Sequence, residues 1–285
     1  MKKLSLKLLF VFFAGSLFFI SCSDDDNKSS NITETLTTDE TMAVVESNDV
    51  SDEVNHFIDD LFVTEFDLGE RTAKYNYGQT DCFTKTVEID GATKVVTIDF
   101  GEGCEMPNGN ILSGKIILTY EYNSDLNMVT VVYTYDNFYF NDISVVGETT
   151  IVRVKENENV NPESTITFNI KLTWPDETYV VQEGTKVREW IEGYDTRDLT
   201  DNVFLITGSW STTYSDGTVC SVTVIEPLRR EMICKYIVSG IIEITKNNVT
   251  FTLNYGDGTC DNIAVITDAL GNTTEIIISG RNKNS

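Results

Sequence analysis

The amino-acid sequence predicts an all-β protein: one large antiparallel sheet, or a repeated β-hairpin array, with one short N-terminal helix. Three observations carry this. From about residue 72, apolar or aromatic residues alternate with polar ones at a period of two, and Thr, Val, Ile, Tyr and Phe dominate, as half-buried strands require. Short turn-forming steps separate the runs, among them Asp90-Gly91, Asn108-Gly109, Asn123-Ser124-Asp125, Asp216-Gly217, Asn247-Asn248 and Gly271-Asn272. Only four prolines occur; Pro107, Pro162 and Pro175 fall at turns or strand ends, and Pro227 follows a strand and is expected to interrupt pairing.

The first segment is of another kind. Lys2, Lys3 and Lys7 precede a short apolar run, Leu8 to Ile20, and then Ser21 and Cys22. This reads as a secretory signal over 1–21, too short to cross a hydrocarbon core comfortably. The string Phe19-Ile20-Ser21-Cys22 resembles the lipobox of bacterial lipoproteins, with Phe19 where leucine is usual. That resemblance covers 22 residues. It implies cleavage before Cys22 and acylation of Cys22, which makes the membrane a partner; two or more acyl chains anchor stably where one is marginal. Ser23-Asp24-Asp25-Asp26 resembles the surface-export signal of Bacteroidota lipoproteins. It implies that Asp24, Asp25 and Asp26 direct the chain to the outer face of the outer membrane.

Residues 23–50 are rich in Ser, Thr, Asn, Asp and Glu and are read as a flexible acidic tether, so that the lipidated cysteine and tether together span 22–50. An amphipathic helix is expected over 51–66, where Val54, Phe57, Ile58 and Leu61 recur at spacings of three and four. Ser51 would cap it, with Asp52 and Glu53 in its first turn. His56, the single histidine, is expected on the surface of that helix.

The β domain is expected over 72–280. Its strands are Phe83–Ile89, Thr93–Phe100, Ile111–Tyr122, Met128–Phe140, Thr149–Lys155, Thr165–Trp174, Thr178–Glu183 and Lys186–Ile191. Val203–Tyr214, Val219–Ile225, Ile233–Thr245, Val249–Tyr255, Ile263–Thr267 and Thr273–Ile278 follow. Gly114, Gly147, Gly208 and Gly240 recur inside or at the start of strands, with a less recognisable counterpart near Gly184. A glycine weakens a strand, so its recurrence points to bulges or close backbone approach, and to repeats of about 30 residues.

Outside Cys22 the chain has five cysteines, so at least one is free or paired intermolecularly in an oxidising compartment. An echo links the two ends of the domain: Thr97-Ile-Asp-Phe-Gly-Glu-Gly-Cys104 and Thr252-Leu-Asn-Tyr-Gly-Asp-Gly-Thr-Cys260. Equivalent positions favour the disulfides Cys82–Cys104 and Cys234–Cys260, with Cys220 unpaired; the alternative has Cys220 competing for Cys234. The layout resembles that of uncharacterised all-β lipoproteins of the same bacterial group, a resemblance that implies no activity.

Removing Lys2, Lys3 and Lys7 with the leader leaves 18 basic and 45 acidic side chains, a net charge of −27. That argues against nucleic acid as a partner and against the folded domain lying on an anionic bilayer. One histidine and no GxSxG string leave no Ser-His-Asp or Cys-His arrangement, so no catalytic residue is assigned. No CxxC or CxxH spacing suits zinc and no cofactor is assigned; Asp257 and Asp261, beside flexible turns, are the candidate cation site, with structural calcium the ion they would suit. Tyr133, Tyr135 and Tyr139 are the candidate aromatic surface, for stacking on sugar or joining a protein interface. The expected function is non-catalytic binding or structural interaction at the cell surface, with a glycan or an envelope protein as partner. A carboxylate-dependent carbohydrate-active enzyme is the rival reading.

Overall fold

The computed structural model describes residues 34–66, 82–90, 93–106, 109–123, 128–196 and 199–278. They belong to a single compact unit beginning at Glu34. Cys22 and Asp24 to Asp26 lie outside the described residues.

The helix, α1, runs from Thr38 to Phe66. The expected helix over 51–66 is therefore present but begins thirteen residues earlier, and Thr38–Val50 is helix rather than tether. Its N-terminus is closed by Thr37: the Glu40 backbone N–H donates to Thr37 Oγ1 at 3.1 Å, and the Thr37 N–H donates to Glu40 Oε2 at 2.8 Å. This reciprocal capping box satisfies two donors that a helix start otherwise leaves open. Ser51, expected as the cap, is instead a buried residue in mid-helix.

The sheet holds all fourteen strands. The first seven are β1 (Thr84–Asp90), β2 (Thr93–Asp99), β3 (Cys104–Glu105), β4 (Ile111–Asn123), β5 (Met128–Phe140), β6 (Ile143–Val154) and β7 (Glu163–Thr173). Then come β8 (Tyr179–Glu192), β9 (Val203–Tyr214), β10 (Val219–Glu231), β11 (Ile237–Lys246), β12 (Val249–Asp257), β13 (Ile263–Thr267) and β14 (Thr273–Ile277). Each strand pairs antiparallel with its neighbours in chain order, except that β3 only flanks β4 while β2 pairs β4 directly. The large antiparallel sheet expected from alternation is what forms. Four boundaries differ, one of them at β11, which begins at Ile237 after the expected Ile233. The two runs on either side of Gly184 are one strand, β8, because Gly184 stays in register opposite Phe168 and Trp210. β6 begins at Ile143, before the expected Thr149. β10 continues through Pro227, which sits where the register against β9 shifts between Thr223 and Leu228; the irregularity accommodates a residue that cannot donate.

The sheet curls around α1. Thirteen strands in one path, laid flat, would span roughly 58 Å, whereas a helix with its side chains is only about 10 Å across. Yet one stretch of α1, from Asp52 to Phe57, reaches strands far apart in that path. Asp52 meets Lys186 on β8, Glu53 meets Arg230 on β10, Asn55 accepts the Tyr133 hydroxyl from β5, and Phe57 packs against Phe100 just after β2. Only a sheet rolled about the helix brings these strands to one level. Accordingly Val44, Val45, Ser47, Val50, Val54, Asn55 and Ile58 are all buried.

The recurring glycines lie where neighbouring strands approach closely or their register shifts. Gly147 and Gly208 have φ of 127° and 132°, and a Cβ added to either would come within 2.2 Å of the Asn169 carbonyl or 2.3 Å of the Thr185 carbonyl on the neighbouring strand. At Gly114 the β4–β5 register shifts between Ser113 and Lys115. Both features suggested by the sequence, bulge and close approach, therefore occur.

Candidate functional site

The densest polar chemistry lies inside, at the seam between α1 and the concave face of the sheet. The helix supplies Glu40, Glu46, Asp49, Asp52 and Glu53; the strands supply Lys186 and Arg188 from β8, Arg230 from β10 and Lys246 from β11. Lys246 Nζ lies 2.7 Å from Glu40 and 3.1 Å from Glu34. Burial opposes the charge on Lys246, but its hydrogen bonds to Glu40 and Glu34 hold its pKa above the ordinary lysine range. Lys186, with only 2% of its side chain exposed, pairs with Asp52 at 3.2 Å and lies 4.9 Å from the centre of the Trp210 ring. Arg230 meets Glu53 at 2.7 Å and also donates to the Lys235 carbonyl. Burial raises the Glu53 pKa even with Arg230 beside it. Arg188 stacks over Phe204 at 3.7 Å.

Two neutral donors complete the seam. Trp174 Nε1 donates to Glu46 at 2.8 Å, and the Tyr214 hydroxyl donates to the Glu40 carbonyl at 3.0 Å. His56 is buried here, not on the surface as expected, because the sheet encloses the helix face that carries it. Burial, then the nearby Arg188 and Arg230 charges, push its pKa well below the ordinary histidine value.

The candidate aromatic surface does not hold together. Tyr133 is buried and donates to Asn55 Oδ1 at 2.8 Å, and Tyr135 packs inward against Tyr133 and Phe138. Tyr139 alone is exposed, at 43%. Simple alternation puts 133, 135 and 139 on one face. A register shift between Thr134 and Phe138 reverses the parity, so Phe138 and Phe140 turn inward and Tyr139 turns out.

Asp257 and Asp261 serve their own turns. Asp257 Oδ1 accepts from the Thr259 hydroxyl at 2.8 Å and its N–H at 3.2 Å; Asp261 Oδ1 accepts from the Ile263 N–H at 2.9 Å. Among the described residues no group of three or more His, Cys, Asp or Glu side chains converges as metal ligands would. The disulfides are Cys82–Cys104 and Cys234–Cys260, and Cys220 is free and buried. Burial pushes the Cys220 thiol up to about 11, which leaves little thiolate at neutral pH.

Comparison with protein-family models, curated proteins and solved structures gives no match.

One feature of this geometry escapes a linear reading and another does not. The seam is invisible because its bases are scattered over 186–246, while three of its acids, Glu40, Glu46 and Asp49, sit in what reads as polar linker and Asp52 and Glu53 read as the exposed first turn of a helix. The capping box was available, since Thr37-Thr38-Asp39-Glu40 has the T-x-x-E spacing. A second polar cluster lies on the loop before β7. There Asn157, Asn159 and Asn161 all donate through Nδ2 to Glu189 Oε1 at 2.9–3.0 Å, and these amides lower the Glu189 pKa. Asn157 Oδ1 in turn accepts the N–H groups of Asn159 and Asn161, so the cluster pins the loop to β8.

Proposed function

We propose that this chain is a cell-surface lipoprotein, held in the outer membrane through acylated Cys22 and exported by Asp24 to Asp26, whose β domain has a non-catalytic binding or structural role. The observation that carries the reading is the occupied interior: α1 fills the concave face, leaving the convex face and the strand edges as surfaces for a partner. On that convex face Ser113, Tyr139, Ser144, Thr173 and Tyr179 stand directly opposite one another across β4 to β8, so every side chain in the row bears a hydroxyl. Such a row suits a glycan or a polar envelope-protein surface. The acids of the interior are also engaged by cations or Trp174, apart from Asp49, which favours binding over a carboxylate-dependent enzyme. The helix start at Thr38 leaves fifteen residues between Cys22 and α1, at most about 50 Å of extended chain, so the domain would work close to the membrane.

Two measurements test this. Replacing Asp24, Asp25 and Asp26 by alanine should abolish protease access to the domain on intact cells; unchanged access would defeat the export assignment. A glycan array and an envelope-protein pull-down should detect a ligand whose binding Tyr139→Ala weakens, and silence in both would defeat the binding role.

A further inference from the structure

The acids of the seam are partnered one by one, with a single exception. Glu40 has Lys246, Glu46 has Trp174, Asp52 has Lys186 and Glu53 has Arg230. Asp49 lies between Glu46 and Asp52 on the same helix, and has neither a hydrogen bond nor an ion pair among the described residues. It keeps some exposed area yet is densely surrounded by protein.

The groups that face it come from three elements. From α1 itself come Glu46 one turn before it and Asp52 and Glu53 one turn after, all of like charge. From β10 comes Arg230, already committed to Glu53 and to the Lys235 carbonyl. From β12 comes Tyr255, buried and held protonated by its surroundings. Of the other cations, Lys186 on β8 pairs with Asp52, and Arg188 on β8 and Lys235 before β11 act on Glu53, while His56 is buried one turn beyond Asp52. Four acids thus converge where Lys186, Arg188 and Arg230 supply the inner-face positive charge. An ionised Asp49 adds negative charge with no hydrogen bond to offset its burial, whereas a neutral Asp49 adds none.

We propose that Asp49 makes the seating of α1 inside the sheet protonation-dependent, so that the helix is held more tightly when this carboxyl is neutral and loosens as it ionises. The direction follows from the environment. Burial foremost, then the neighbouring acids against the pull of Arg230, raises the Asp49 pKa to about 7. A carboxyl whose folded pKa exceeds its unfolded one gives stability that is complete below the unfolded value and lost as pH rises through the folded value. The window is therefore pH 4 to 7. It opposes the effect of His56, so the wild-type pH profile alone does not isolate it.

Asp49→Asn fixes the neutral form, and the ratio of its folding constant to that of the wild type cancels His56 and every other shared group. Equilibrium unfolding of the intact chain should show this ratio rising about thirtyfold between pH 5.5 and 8.5 in favour of Asp49→Asn. Hydrogen exchange, corrected for intrinsic rates, should show the wild type losing protection in α1 over about pH 5–7.5 while β6 to β8 keep theirs. A folding ratio independent of pH would overturn the proposal. So would wild-type exchange in which α1 and the strands change together, and that measurement stands even if the variant does not fold.

Discussion

Glu53 of α1 and Arg230 of β10 meet at 2.7 Å inside the curled sheet, with 15% and 8% of their side chains exposed. Water is largely excluded from this pair, so removing one partner leaves the other charge buried and less well compensated. Arg230→Met should destabilise the domain by about 3 kcal/mol, the low end for breaking a buried pair. The double variant Glu53→Leu with Arg230→Met should recover most of that loss, because it removes the stranded carboxylate as well. Chemical denaturation of the two single variants and the double variant checks this; equal loss in single and double variants would mean that the pair holds the helix in place by more than charge.

The capping box at Thr37 and Glu40 makes a second, smaller prediction. Thr37→Ala removes the hydroxyl that accepts the Glu40 N–H, and should cost about 1 kcal/mol. The midpoint of thermal unfolding should fall by several degrees, while Thr38→Ala, next to it in sequence, should change little.

These two sites also mark how far the sequence is legible. Strand positions are readable because β alternation is local: whether Phe251 or Thr252 faces inward is decided by the pleat. The helix start at Thr37 was equally local, but was obscured by a surrounding composition typical of linker. The burial of the acids along α1 was not legible, because it depends on Lys186, Arg230 and Lys246 arriving from strands more than a hundred residues away. Tyr139 shows a third case. Its face depends on one extra residue in β5, and a bulge leaves no mark in the alternation until Phe138 and Phe140 are seen to face inward together.

Two glycines of positive φ, one closely approached and one open, predict a contrast between their alanine substitutions. Gly208 has φ of 132° and faces the Thr185 carbonyl, with room for no Cβ. Gly208→Ala therefore combines a disfavoured backbone conformation with a clash against backbone that the sheet holds in place, and should cost about 3 kcal/mol or prevent folding. Gly217 also has positive φ, 88°, but nothing lies within 4 Å of its added Cβ. Gly217→Ala should cost only about 1 kcal/mol. Circular dichroism melts of the two variants separate the cost of conformation, which both share, from the cost of close approach, which only Gly208 bears.

His56 predicts the acid side of the stability profile. Burial, Arg188 and Arg230 keep it neutral in the folded protein well below pH 6.5, while in the unfolded chain it takes up a proton near that value. Below pH 6.5 the unfolded state therefore binds the extra proton, and stability falls as pH is lowered until the folded pKa is reached. The loss approaches about 1.4 kcal/mol per pH unit for this one group. Carboxylates paired at the seam would add their own acid losses, so the test is again a difference. His56→Gln keeps a polar side chain of similar reach but does not titrate, and its stability relative to wild type should rise progressively from pH 6.5 to 4.5. Urea unfolding at several pH values measures it; parallel profiles would show that His56 is already charged in the fold, and with it that the seam holds a further cation beside Arg188 and Arg230.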